Sequence, residues 1–139
     1  MVLGETAQQG LSTPPDASIK IVSFGFKYGT PREANFLFDV RFLPNPYFVP
    51  ELKELDGTDP RIKEFVRDSS LARLFLASCK SFLDKVLPAY SASRDGGLTV
   101  CVGCTGGRHR SVVIAEILFE YLKESGNSVT LLHRDIQLG

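Results

Sequence analysis

The sequence predicts an α/β fold: a single three-layer domain in which a small mixed, partly parallel sheet of about four strands is flanked by helices. Three observations predict it. Short β-rich runs such as Ile19–Phe24 and Leu98–Val102 alternate with longer stretches whose apolar residues return every three to four positions, the pattern of strands joined by helical crossovers. Val100 to Val102 leads through the glycine pair Gly106-Gly107 into the apolar-periodic run Val112 to Leu122, which reads as strand, tight turn and helix. Finally, 139 residues with 43% hydrophobic and 23% charged side chains suit one globular core.

Taken in order, Met1 to Ser18 has no apolar period and contains Gln8-Gln9-Gly10 and Thr13-Pro14-Pro15, so it reads as a flexible amino-terminal segment. Residues 19–139 form the domain. Ile19 to Phe24 is the first strand, and Gly25 to Arg32 the loop at its carboxyl end, where ligands collect in open α/β sheets. Lys27 there is either an anion contact or a solvated lysine. Asn35 to Phe42 reads as the second strand, with Asp39 and Arg41 on one face, either paired with each other or turned toward a ligand. Burying that pair in an apolar setting would cost several kcal/mol, which favours a polar pocket at this point. Leu43 to Pro50 holds three prolines and reads as a stiff extended loop that can present Asn45 and Tyr47, unless Tyr47 and Phe48 only pack.

Asp59-Pro60 offers a cap and a first-turn proline, so a short helix is expected over Pro60 to Val66. A longer one runs from Ser70 to Leu87, with Phe75, Cys79, Phe82, Leu83 and Val86 on its apolar face and Pro88 ending it. Ser91 to Gly97 is a polar connection into the strand Leu98 to Val102. The next helix places Ile114, Ile117, Leu118, Tyr121 and Leu122 on one side, and Gly126 is a left-handed stop. Ser128 to Leu132 is the last strand. A parallel crossover then brings His133-Arg134-Asp135 beside the Cys104 loop.

Sixteen basic and sixteen acidic residues leave no net charge, so nothing draws the chain as a whole toward nucleic acid. No apolar run is long enough for a membrane span, and the amino terminus lacks the features of a secretory signal, so a cytoplasmic location is expected. Three cysteines without an export signal argue against a disulfide framework. Cys101 and Cys104 are spaced C-x-x-C, but a zinc site lacks two further ligands at suitable spacing. Cys101 falls inside a strand, where a redox pair would start a helix, so Cys79 and Cys101 read as packing residues. No metal or cofactor is implied.

The stretch Gly103-Cys104-Thr105-Gly106-Gly107-Arg108-His109-Arg110-Ser111 carries the chemistry. Its glycines let the main chain approach a ligand, the N–H groups of the turn and first helical turn converge without internal partners, and Arg110 can add a two-pronged contact. This is an anion cradle. At roughly 1.5–3 kcal/mol for each hydrogen bond to a charged group, a few such contacts would hold a small phosphorylated ligand at micromolar to millimolar strength.

Read as C-x-x-G-x-x-R-S, the loop resembles the signature of cysteine-dependent phosphatases, with Cys104 as nucleophile and Arg110 holding phosphoryl oxygens. Such an enzyme needs a general acid, for which Asp56, Asp59 and Asp135 are available. The full segment more closely resembles G-C-T-G-G-K-H-R-S of the carboxy-terminal domain of RapZ/YvcJ-type bacterial proteins. Matches at Phe24 to Gly29, at Phe38 to Pro46 and at His133-Arg134-Asp135 extend the resemblance over about Ile19 to Asp135. It implies a regulatory domain that binds glucosamine-6-phosphate and takes part in RNA-linked control, and not an enzyme. Thr105, Gly106, Gly107 and Arg110 would then hold the phosphate, Asp39 would contact the sugar, and Arg41 and Asn45 would shape the site. Tyr47 stands where some relatives have a ligand-touching histidine. Cys104, Arg108, His109 and Ser111 complete the expected ligand-binding set. Full-length relatives also carry an ATP-binding domain with a P-loop, whose G-x-x-x-x-G-K-[ST] pattern is absent here. RNA remains a possible partner, and a homo-oligomer is compatible with the sequence.

Overall fold

A computed structural model describes residues 18–91 and 97–138. The strands are β1 (Ser18–Gly25), β2 (Phe36–Asp39), β3 (Gly97–Cys104) and β4 (Ser128–His133), and the helices are α1 (Pro60–Arg67), α2 (Ser70–Ser91) and α3 (Arg110–Glu124). Single 3-10 turns lie at Phe26–Tyr28 and Pro46–Phe48. The segment expected to be flexible over Met1 to Ser18 lies outside the described residues apart from Ser18, which opens β1; so does most of the Ser91 to Gly97 connection.

The sheet order is β2-β3-β1-β4, and every neighbouring pair is parallel. The mixed sheet expected from the sequence is therefore corrected to a wholly parallel one. The reason lies in the connections: β2 returns to β3 through α1 and α2, β3 to β4 through α3, and β1 to β2 through ten irregular residues, so each strand restarts from the same end.

Alternation along the strands sorts side chains into two cores. Ile19 and Ile21 of β1, with Leu98, Val100, Val102 and Cys104 of β3, face all three helices and meet Ile62, Val66, Leu83, Ile114, Leu118 and Leu122. Burying each such side chain contributes about 1.5–3 kcal/mol. On the other face Val22, Phe24 and Cys101 form a smaller cluster, covered by Phe26 and Ala34 of the β1–β2 connection. Cys101 and Cys104 thus lie on opposite faces of β3, which rules out a disulfide or shared metal between them. Burial pushes the Cys101 thiol up to about 11 and that of Cys79 up to about 12. Both are inert packing groups, as their positions in the sequence suggested.

Three local expectations change. α2 does not stop at Pro88 but runs one turn on to Ser91, because a proline near the carboxyl end forfeits only one helical hydrogen bond and Tyr90 is anchored edge-on against Phe36 at 5.7 Å. β2 ends at Asp39, so Arg41 lies in the turn beyond it, where backbone contacts from Val40 N–H to Gly103 O (2.9 Å) and Leu43 N–H to Val40 O (3.1 Å) bend the chain. The proline loop is not extended throughout. Asn45 Oδ1 accepts from Tyr47 N–H at 3.1 Å and, with Pro46 in the first position, starts a 3-10 turn. The Asp59 cap and Pro60 of α1 stand as expected, with Asp59 Oδ1 accepting from Arg61 N–H at 2.9 Å.

Candidate anion-binding site

The cradle is set by a close backbone approach at the carboxyl ends of β1 and β3, where Gly25 pairs with Cys104. A Cβ on Gly25 would sit 2.5 Å from the carbonyl carbon of Gly106, and one on Gly107 only 2.6 Å from Gly25 N. Gly107 also has φ 77°, a backbone state that side chains resist. The loop is fixed by Lys27 N–H donating to Thr105 O (3.1 Å) and by Asp135, buried at 2% exposure, whose Oδ2 accepts from Gly25 N–H (2.8 Å). The expected meeting of the His-Arg-Asp segment with the Cys104 loop is therefore made by Asp135 against Gly25 and Gly107. Gly106, by contrast, has open space where a Cβ would stand. His109 is the residue before α3 and provides no side-chain cap, so the first-turn N–H groups are left for solvent or a ligand.

In front of this loop lies a cleft of about 610 Å³. One wall is Cys104, Thr105, Gly106, Arg108, His109 and Arg110; the other is Lys27, Asn45, Tyr47, Phe48, Lys53 and Glu54. The fold thus gathers most of the residues expected from the sequence, Lys27 included. It does not bring Asp39, Arg41, Gly107 or Ser111 to the cleft wall. Gly107 is pressed inward, Ser111 is fully buried, and its Oγ accepts from the Cys104 thiol at 3.2 Å. Phe48, Lys53 and Glu54 were missed as a wall. No motif marks them; the one signal was the proline loop, which turns the chain back across the cradle.

Arg110 is 4% exposed and works partly as a tie. Its Nη1 donates to Arg41 O (2.7 Å) and Leu43 O (3.2 Å), and Nη2 to Thr105 Oγ1 (3.4 Å), so it holds the turn after β2 against the cradle. Its Nε is buried without a hydrogen-bond partner among the described residues. Burial pulls the guanidinium below its ordinary value, with the charge of Asp39 acting the other way. An anion in the cleft would offset that desolvation. Asp39 and Arg41 pair with each other, with Nη2 2.7 Å from Oδ2 and Nε 2.9 Å from Oδ1, and both are nearly half exposed. The pair thus avoids the cost of burial by lying at the surface, and not by lining the polar pocket expected at this point. The Arg41 hydrogen bonds hold the Asp39 carboxyl below its usual range.

The three carboxylates available as a general acid are otherwise engaged. The Thr58 hydrogen bond holds the Asp56 carboxyl below its usual range, Arg61 does the same for Asp59, and at Asp135 burial pushes upward but Arg134 and Gly25 N–H together outweigh it. All three are shifted down, the wrong direction for a proton donor at neutral pH.

His109 Nε2 meets Leu55 O at 2.5 Å; since a carbonyl only accepts, this ring nitrogen carries the proton. Burial holds the ring below its ordinary value of 6.5, with the Leu55 contact opposing. Stability from this group is therefore complete above about pH 6.5 and falls as the pH drops toward the folded-state value. Melting temperature measured between neutral pH and about pH 5 is expected to decline in part through His109, and His109→Gln, which keeps a donor but cannot titrate, is expected to flatten that portion.

A strand-end cradle of this kind, opening onto a basic cleft, sits within residues 17–137, the span over which the chain matches the RapZ C-terminal domain. The chain belongs to that family. It is 48% identical over 122 residues to a nucleotide-binding protein of Limosilactobacillus reuteri (strain DSM 20016), a match covering 88% of this chain and 42% of the relative. A nucleotide-binding protein of Nitratidesulfovibrio vulgaris (strain DSM 19637 / Miyazaki F) is 50% identical over 121 residues, covering 87% and 41%. One from Anaeromyxobacter sp. (strain K) is 47% identical over 136 residues, covering 98% and 44%. The chain therefore spans less than half the length of these relatives. Every loop residue of the cradle falls inside the span matched to the RapZ C-terminal domain. Among the described residues no helix is long and apolar enough to cross a membrane.

Proposed function

We propose that this chain is a cytoplasmic sensor domain that binds a small phosphorylated ligand of the glucosamine-6-phosphate kind in the cleft and does no chemistry on it. The observation that carries this reading is the uncapped start of α3 beside a buried, partly unsatisfied Arg110, in a cleft whose walls hold Lys27, Lys53, Arg108 and Arg110 against a single carboxylate, Glu54. Thr105, Gly106 and the first turn of α3 would receive the phosphate. Asn45 and Tyr47 would meet the sugar, and Asp39 would join them by releasing Arg41. The phosphatase reading is weaker because Cys104 is buried and bonded to Ser111, and no candidate acid is poised to protonate a leaving group.

The test is thermal unfolding with glucosamine-6-phosphate, glucose-6-phosphate and inorganic phosphate. The phosphosugars are expected to raise the melting temperature with the logarithm of concentration, by more than phosphate does. If none of the three shifts melting at several times the millimolar range expected of the cradle, the reading fails.

RNA affinity is expected to be weak, with a shallow dependence on salt. Of the arginines around the cradle, Arg41 and Arg134 are paired with Asp39 and Asp135, and Arg110 is buried. Lys27 and Arg108, with Lys53, leave few phosphate contacts. Filter binding at two salt concentrations measures this; submicromolar binding at physiological salt would contradict it.

A further inference from the structure

Each cation lining the anion cleft is engaged within the chain, and the one carboxylate lining it is not. Lys27 Nζ lies 5.6 Å from the centre of the Tyr28 ring and Lys53 Nζ 4.7 Å from that of Tyr47, while Arg108 reaches the backbone oxygen of Glu54 at 3.4 Å and Arg110 holds the turn after β2. The carboxylate of Glu54, on the same wall as Lys53, makes no hydrogen bond or ion pair among the described residues. Its backbone is nonetheless fixed. Lys53 N–H donates to Val49 O (2.9 Å) and Leu55 N–H to Leu52 O (3.0 Å). His109 Nε2 donates to Leu55 O (2.5 Å) and Gly57 N–H to Arg108 O (2.7 Å), so the turn that carries Glu54 is pinned to the cradle loop from both sides. A carboxylate on a fixed turn, among four cations and paired with none, is free to meet a positive group on a ligand.

We infer that Glu54 is a specificity-determining residue, which selects a phosphate ester that also carries an ammonium group over the same ester without one; this rests on the phosphate seat proposed above at the start of α3. The charges of the cleft carry the argument. Lys27, Lys53, Arg108 and Arg110 stand against Glu54 alone, so the cleft repels an ammonium group everywhere except beside that side chain. A neutral ligand group gains nothing from Glu54, and a second anion is repelled by it. Asp39 is the other carboxylate near the cradle, but its oxygens accept from Arg41 Nε (2.9 Å) and Nη2 (2.7 Å). Asp39 must break both bonds to meet a ligand, whereas Glu54 breaks none. Glu54 is also exposed, so it gives up little hydration when it pairs. The same exposure sets the size of the effect: a screened pair at a surface changes affinity by a factor of a few, not by decades.

Isothermal titration of the 139-residue chain with glucosamine-6-phosphate, glucose-6-phosphate and N-acetylglucosamine-6-phosphate tests this. The wild type is expected to bind the amine about fourfold more tightly than either ester without an ammonium group. In Glu54→Gln that preference is expected to vanish or reverse, because the cations then face the ammonium group unopposed, while affinity for glucose-6-phosphate changes by no more than about twofold. Glu54→Lys is expected to bind glucose-6-phosphate more tightly than the wild type does and glucosamine-6-phosphate less tightly. Glu51→Gln removes an equal charge from an exposed residue outside the cleft wall and is expected to leave the ratio of affinities unchanged. Raising the pH through the titration of the amine is expected to abolish the wild-type preference. A wild-type ratio of one, a preference that survives in Glu54→Gln, or a loss in Glu51→Gln as large as that in Glu54→Gln would overturn the role of Glu54. If the three esters bind without any preference for the amine, the phosphate seat stands and Glu54 falls; if none of them binds, both fall.

Discussion

Gly107→Ala is expected to destabilise the domain by about 3 kcal/mol. Two costs combine. The residue has φ 77°, which alone costs an alanine on the order of 1 kcal/mol, and its Cβ would lie 2.6 Å from Gly25 N and 2.9 Å from Asp135 Cβ. Neither neighbour is a flexible chain end. Gly25 is backbone at the end of β1, and Asp135 is held by Gly25 N–H and by Arg134 at 2.8 Å each. Gly126→Ala isolates the first cost, since Gly126 has φ 96° and nothing within 4 Å of its would-be Cβ. Chemical denaturation of both variants is expected to show a loss near 1 kcal/mol for Gly126→Ala and about three times that for Gly107→Ala. Equal losses would mean that the packing of the loop on β1 is looser than its distances indicate.

The same glycine shows where the sequence was legible and where it was not. A Gly-Gly pair between a β-branched run and an amphipathic run announces a strand, a turn and a helix, because periodicity and backbone freedom are local properties. Which of the two glycines is pressed into the fold and which faces the cleft depends on Gly25 and Asp135, far away in the chain, and no local pattern carries that. The proline loop behaves likewise. Pro44, Pro46 and Pro50 mark stiffness, but the closing of Lys53 and Glu54 over the cleft is fixed by Arg108 reaching Glu54 O (3.4 Å) and by Gly57 N–H donating to Arg108 O (2.7 Å). The partly mixed sheet was misread for a related reason: strand direction is set by where each connection returns the chain. Arg110 was readable as a cation in an anion loop. Its second duty, tying the turn after β2 to the cradle, could not be seen from spacing.

That second duty changes how the ligand reading is best tested. Arg110→Ala would remove an anion contact, but it would also strand the carbonyls of Arg41 and Leu43 in a buried setting, at a cost of about 3 kcal/mol. A loss of ligand response in that variant alone would be ambiguous. Gly106 offers the cleaner probe, because a Cβ there meets open space at the cleft wall. Gly106→Val is therefore expected to melt within a degree or two of the wild type while losing essentially all stabilisation by glucosamine-6-phosphate, since the added methyls occupy the approach to the turn N–H groups. Arg110→Lys should show the opposite balance. It keeps the charge but loses the fork that reaches two carbonyls and a hydroxyl at once, so stability falls by about 2 kcal/mol and ligand response weakens without vanishing. Isothermal titration with the phosphosugar, run beside the melting curves, separates the two effects. Binding that survives intact in Gly106→Val would place the phosphate elsewhere than at the start of α3.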